Sequence, residues 1–316
     1  MKAVFLDYDT VSNGDLDASV LAQTVDSLEL YECAADRTAE RVQGADIVLL
    51  NGLSLSKAQI DGAPSMKLIS LAATGTDKVD LAAAEARGVA VCNVRGYCTV
   101  SVVQHVWALI LSLNQHLAEY SRLAVDGSWV RNEPLMELKH PIRELQGRVF
   151  GVIGWGELGR GAARVAESFG MRVVIANRPG TVPHPQRLDL AQLLAVSDIV
   201  SLHCPLNETT RGLIGAPELA LMKPDALLIN TARGGLIDGA ALAAALKAGR
   251  LGGAGIDVLT REPPPATDPL LDPSIPHLIV TPHVAWAAQE ARQRCLDDMA
   301  ASIRDFLSGG RRSRVV

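Results

Sequence analysis

The sequence is poor in aromatic residues, in cysteine and in long apolar runs. It also has no excess of positive charge. Only 4% of its 316 residues are aromatic although 48% are hydrophobic, so the apolar content is mainly Ala, Leu and Val. The most apolar helical stretch, Val106–Leu113, is far short of the ~20 residues that a membrane span requires. A net charge of −5 gives no reason to expect a nucleic-acid or anionic-membrane partner. The one like-charge cluster, Arg311-Arg312 with Arg314, reads as a solvated tail. Five scattered cysteines with no Cys-x-x-Cys fit a reducing compartment rather than a disulfide framework. The opening Met1–Asp7 meets an acid too early for a signal peptide. The expectation is a soluble cytoplasmic protein with neither membrane nor nucleic acid as partner.

What is present is a globular composition about two domains long by the ~150-residue prior. Ala3–Leu6, Ile47–Leu50, Leu68–Leu71 and Val89–Cys92 are short continuous apolar runs of the kind buried parallel strands show. Asp15–Leu28, Thr38–Gln43 and Lys78–Arg87 between them read as helices. A longer helical pattern covers about Val100–Leu117. A second strand series follows: Val149–Ile153, Arg172–Ala176, Ile199–Leu202, Ala226–Asn230, Gly253–Asp257 and Leu278–Thr281. Six strands with helices between most of them match a dinucleotide-binding sheet. Seven of the sixteen prolines fall between Pro263 and Pro282, which reads as a stiff ordered loop inside that series. A last helix is expected from about Ala287 to Leu307, packing back on the first unit.

Gly154-Trp155-Gly156-Glu157-Leu158-Gly159 lies between strand Val149–Ile153 and a helix over Leu158–Phe169. In that context the three glycines allow a tight turn, close approach of backbone to a pyrophosphate, and close helix packing. The helix N-terminus supplies N–H groups and a positive dipole end. The second strand ends at Asn177-Arg178, where NAD enzymes carry an acid for the ribose hydroxyls. Asn177 cannot repel a 2′-phosphate and Arg178 can pair with one, which tilts the expected cofactor toward NADP(H) over NAD(H). An Arg178 that is merely a surface charge would leave both acceptable.

Arg233, Glu262 and His283 follow three successive strand ends, where open α/β sheets bind ligands. Singly, each has an ordinary structural explanation; together they match the needs of hydride chemistry. Hydride transfer at carbon must be matched by proton transfer at the attached oxygen, which suits histidine. A carboxylate on the other ring nitrogen fixes the tautomer. Arginine holds a carboxylate as a fork and polarises a carbonyl.

Along its whole length the chain resembles the D-isomer-specific 2-hydroxyacid dehydrogenases, in particular the glycerate dehydrogenase/hydroxypyruvate (glyoxylate) reductase branch. The resemblance rests on Ala72–Asp77, Gly154–Gly159, Ser201–Leu206, Asn230–Leu236, Gly255–Val258, Glu262-Pro263-Pro264 and Thr281–Ala287. It implies an α/β fold of two doubly wound parallel-sheet domains. A flavodoxin-like substrate domain (1–98 and 286–316) would carry an inserted Rossmann domain (99–285), whose stretch at about 120–146 is a dimerisation arm, so a homodimer is expected. It implies that Thr74-Gly75 N–H groups help Arg233 grip the substrate carboxylate, with Leu53 and Trp286 as pocket walls. His203-Cys204-Pro205, Thr231-Ala232, His283 and Ala285 would line the cofactor, and Asp257 would meet the nicotinamide carboxamide. The activity implied is reduction of hydroxypyruvate or glyoxylate with NAD(P)H, in a cleft that domain closure would dry. Formate dehydrogenases are set aside because they carry Gln where Glu262 stands. Nucleotide-sensing corepressors of the same fold retain the triad and stand as the alternative, as does a related dehydrogenase with another substrate. No metal is expected.

Overall fold

The computed structural model describes residues 1–131, 136, 138–177, 182 and 184–316. The backbone divides into two compact units, Met1–Cys98 with Trp286–Val316, and Thr99–Ala285. The first contains β1 (Lys2–Phe5), α1 (Ser19–Ala22), β2 (Ser27–Leu30), α2 (Thr38–Arg41), β3 (Ile47–Leu50), α3 (Lys57–Asp61), β4 (Leu68–Leu71), α4 (Leu81–Ala86) and β5 (Ala90–Cys92). Among the described residues these strands form one parallel sheet in the order β2-β1-β3-β4-β5, the doubly wound flavodoxin-like arrangement. Side chains alternate across it. Ala3, Phe5, Ile47 and Leu49 enter one core, and Val4, Val48 and Leu50 enter the other. Apolar residues are therefore needed at consecutive positions, which is why these strands read as unbroken runs.

The second unit contains α5 (Thr99–Asn114), α6 (Leu117–Val125), α7 (Ser128–Arg131), β6 (Val149–Ile153), α8 (Glu157–Ser168), β7 (Arg172–Ile175), α9 (Leu190–Val196) and β8 (Ile199–Leu202). It continues with α10 (Ala216–Leu221), β9 (Leu227–Asn230), α11 (Gly239–Lys247), β10 (Gly253–Ile256) and β11 (Leu278–Val280). Its parallel sheet runs β11-β10-β9-β8-β6-β7. The winding reverses between β6 and β8, and the strand ends beside such a switch point are where doubly wound sheets bind ligands. On α5, Trp107 stacks on Phe150 and Phe169 (ring centroids 5.6 and 5.0 Å) and donates to the Ala162 carbonyl at 3.1 Å. This fixes α5 against α8.

The last helix, α12 (Gln289–Leu307), belongs to the first unit. It inserts Ala291, Cys295, Leu296, Met299, Ala300 and Ile303 into the core formed with Phe5 and Leu49. Arg292 anchors it with a two-pronged ion pair to Asp15 (2.8 and 2.6 Å) and a third bond to the Val11 carbonyl. That guanidinium pulls the Asp15 carboxyl down to about 2. Among the described residues no helix is long and apolar enough to cross a membrane.

One expected element is wrong. Asp15–Leu28 is not a helix: α1 is a single turn, and Ser27–Leu30 is the edge strand β2, paired with β1. The Thr24 hydroxyl bonds the Leu21 carbonyl and ends the turn, and the Asp26 N–H already bonds the Met1 carbonyl. A short edge strand with two exposed residues needs no continuous apolar run, so it left no strand signal. The short helix α3 was also not foreseen, despite its capping box from Ser56 and Gln59.

Candidate active site

The strand ends of the second unit gather three groups of candidate residues. The first is the glycine turn after β6. Gly154 has φ +104°, and a Cβ there would lie 2.5 Å from the Cys204 nitrogen and the His203 carbonyl carbon, so only glycine fits. This close approach brings the His203-Cys204 segment against the turn. A Cβ on Gly159 would meet the Gly154 carbonyl oxygen at 2.1 Å, whereas one on Gly156 would meet nothing within 4 Å. Gly156 therefore opens onto space at the N-terminus of α8, where no side chain caps the helix. Uncapped N–H groups beside an open backbone form an anion cradle. The side chain of Glu157 turns aside to accept a 2.6 Å bond from Thr99, so its part in any phosphate contact is left to its backbone; Leu158 lies half-buried beside it. Two buried polar atoms point the same way, since His203 Nδ1 and Thr231 Oγ1 have no protein partner among the described residues. Burial pushes the His203 imidazole down to about 4, making it an uncharged ring whose Nε2 lies 2.9 Å from the Ser201 hydroxyl. Cys204 is buried too, and burial lifts its thiol to about 11. A dinucleotide fits these residues.

At the end of β7, the Asn177 amide donates to Asp189 at 3.0 Å and its oxygen accepts the His184 N–H at 2.8 Å. An acid absent from this position in sequence is thus returned by the N-cap of α9. Arg178 lies outside the described residues.

The second group is the turn carrying Arg233. Fully buried Asn230 braces it by donating to the Arg233 carbonyl (2.9 Å) and accepting from the Ala232 N–H (3.0 Å). Arg233 Nη1 in turn bonds the Ala232 carbonyl at 2.8 Å. A Cβ on Gly234 would lie 2.0 Å from the Leu259 carbonyl carbon. The missing side chain lets the turn rest directly on the loop of Glu262. The Leu259 N–H donates to Glu262 Oε1 at 2.9 Å, leaving Oε2 to meet His283 Nδ1 at 2.7 Å. The residues after three strand ends are thereby joined.

The third group holds His283 in place. Its backbone adopts φ +56°, costly for a non-glycine residue, and its N–H bonds the Asp257 carbonyl at 2.8 Å. Asp257 also braces the chain on either side of this residue. Its buried carboxylate accepts the Val284 and Ala285 N–H groups (both 2.9 Å) and the Thr281 hydroxyl (2.6 Å). These bonds clamp the histidine loop. His105 on α5 completes the clamp, 3.0 Å from the Thr281 hydroxyl. As a lone histidine on an apolar helix, His105 carried no signal in the sequence.

In the first unit, Asp7 is fully buried and accepts three backbone N–H groups, from Asn51 (2.9 Å), Gly52 (2.7 Å) and Leu53 (2.8 Å). Burial raises its carboxyl above the ordinary value against the pull of those donors. It shapes the loop of Leu53, whose side chain is itself buried. Thr74 is held through its hydroxyl on the Val94 carbonyl (2.8 Å) and its carbonyl on the Asn93 amide (2.7 Å). Among the described residues no protein acceptor takes the Thr74 or Gly75 N–H. Trp286 packs on the core edge-on to Tyr97, ring centroids 6.4 Å apart.

Comparison with known proteins agrees with this layout. Residues 107–285 match the family model described as "D-isomer specific 2-hydroxyacid dehydrogenase, NAD binding domain". A glycerate dehydrogenase of Methylorubrum extorquens is 40% identical over 98% of this chain and 96% of its own. A hydroxypyruvate reductase of Blautia hydrogenotrophica is 33% identical over 98% of both. Among solved structures, an acyclic imino acid reductase in complex with NADPH and D-Arg superposes with a TM-score of 0.87 at 27% identity, over 100% of both chains. The chain belongs to the D-isomer specific 2-hydroxyacid dehydrogenases, oxidoreductases acting on a CH–OH donor.

Proposed function

We propose that the protein reduces hydroxypyruvate to D-glycerate, or glyoxylate to glycolate. The observation carrying this reading is the 2.7 Å His283–Glu262 pair, set against the Arg233 turn through Gly234 and Leu259. A reduced nicotinamide bound at the glycine turn would supply hydride to C2. His283 gives the matching proton to the C2 oxygen from Nε2, because Glu262 holds Nδ1 as a donor. Arg233 grips the carboxylate and polarises the keto oxygen. The relatives named for glycerate and hydroxypyruvate support the substrate class.

NADPH is the preferred cofactor by a small ratio. Asn177 brings no charge against a 2′-phosphate, while Asp189 beside it keeps the ratio low. The imino acid reductase was solved with NADPH, which supports the same direction. The working form is a cytoplasmic homodimer. Residues 117–142 expose Leu117, Val125, Trp129, Val130, Met136, Leu138 and Ile142, an apolar concentration that a second copy would cover. Initial rates with glyoxylate, hydroxypyruvate, pyruvate and phenylpyruvate, each with NADH and NADPH, test the assignment. Cofactor binding without turnover on any of these acids would overturn it.

A further inference from the structure

Three histidines and a glutamate meet in the second unit, where the proposed reaction does not use them. His116 joins α5 to α6, Glu119 lies in the first turn of α6, and His277 immediately precedes β11. One ligand atom from each of these three residues lies within 4.8 Å of the other two. His277 Nδ1 is buried without a hydrogen-bond partner among the described residues, and its nearest anionic neighbour is Glu119 Oε1 at 3.7 Å. Zinc bonds of about 2.0–2.1 Å place tetrahedral ligand atoms about 3.3 Å apart. The Glu119–His277 pair is already near that spacing, and rotamer-scale adjustment brings in His116.

The surroundings hold the rings as ligands are usually held. His140 stacks on the His116 ring, centroids 5.2 Å apart. Its own backbone is tied to the Tyr120 hydroxyl by two bonds, 2.7 and 3.0 Å. His277 is fixed by its carbonyl, which accepts the Ala254 N–H of β10 at 2.9 Å. His116 and His277 both have left-handed backbones, φ +50° and +53°. These conformations turn the two rings toward one point (ring centroids 5.1 Å apart).

We infer that His116, Glu119 and His277 form a binding site for a borderline divalent transition-metal ion of the zinc class. Two imidazoles and one carboxylate suit Zn²⁺, Co²⁺ or Ni²⁺ and not Mg²⁺ or Ca²⁺, which want oxygen ligands. Water takes the fourth position. The ion would tie the corner between α5 and α6 to the approach of β11.

The test uses the full-length enzyme stripped with a chelator, dialysed against ZnCl2 and measured by elemental analysis. CoCl2 serves as a spectroscopic stand-in. The expected result is about one zinc per chain with a visible four-coordinate cobalt band. His277→Ala and Glu119→Gln should abolish the band and weaken zinc binding at least about tenfold. Glu119→Gln sits on a partly exposed helical turn and keeps the test valid should His277→Ala not fold; thermal melts in chelator establish which variants are folded. Wild-type enzyme that retains no zinc, or folded variants that retain as much as wild type, would overturn the inference. The latter result would place the metal elsewhere, for example on His283 and Glu262.

Discussion

At the scale of single residues, the site is built from pairs in which one group fixes what the other does. Glu262 sets the tautomer of His283, Asn230 sets the turn of Arg233, and Asp257 pins the chain on either side of Pro282 and His283. Replacing His283 by Ala should lower kcat/KM for hydroxypyruvate by about 10²–10⁴, the usual worth of a positioned acid. Arg233→Ala should act mainly through KM together with kcat. Near wild-type turnover in either variant would rule out the assigned roles. Asp257→Asn replaces an acceptor of two backbone N–H groups with an amide that opposes one of them. A stability loss of about 2 kcal/mol or more is expected, read from the urea midpoint, with reduced kcat in the folded fraction. His203 makes a pH prediction. Its folded value of about 4 lies below the ordinary 6.5, so between these values the unfolded chain holds more protons. Stability therefore rises with pH across this window and is lost as pH falls through it. His203→Gln should flatten the dependence of the urea midpoint on pH between pH 4 and 6.5, and an unchanged slope would place its source elsewhere.

At the scale of elements, glycines decide how closely segments approach. Gly234 lets the Arg233 turn sit on the backbone at Leu259, so Gly234→Ala must separate that turn from the Glu262 loop. Overpacking of this kind costs about 1–3 kcal/mol, and kcat should fall with it. A variant melting and turning over like wild type would show that the contact does not matter. At the start of α9, Asp189 both caps the helix and holds Asn177. Asn caps nearly as well, so Asp189→Asn should keep the fold and raise the NADPH/NADH ratio of kcat/KM several-fold; a ratio shifted toward NADH would refute the charge argument. The strands with both faces covered were legible in the sequence, because a doubly covered strand must be apolar at consecutive positions. Edge strand β2 was not: half of it faces solvent, and its pairing with β1 is a long-range event.

At the scale of the whole molecule, exposed apolar residues are concentrated in sequence between 117 and 142. The double substitution Val130→Asp with Leu138→Asp should convert a dimer to a monomer in analytical ultracentrifugation. A wild-type chain that sediments as a monomer would remove the dimer proposal altogether.

The sequence by itself determined the local features: alternation of strand and helix, the glycine turn before α8, and the three polar residues following strand ends. Each follows from a short-range pattern, a run, a spacing or a turn that needs glycine. Tertiary structure alone decided the partners. It gave Asp257 the work of a clamp, joined His105 to Thr281 and Asp257, returned an acid to Asn177 through Asp189, and gathered His116, Glu119 and His277. These groups are separated by 3 to 176 positions in the chain. Most of them meet only because parallel strands carry distant segments to the same edge of a sheet, which a one-dimensional pattern does not encode.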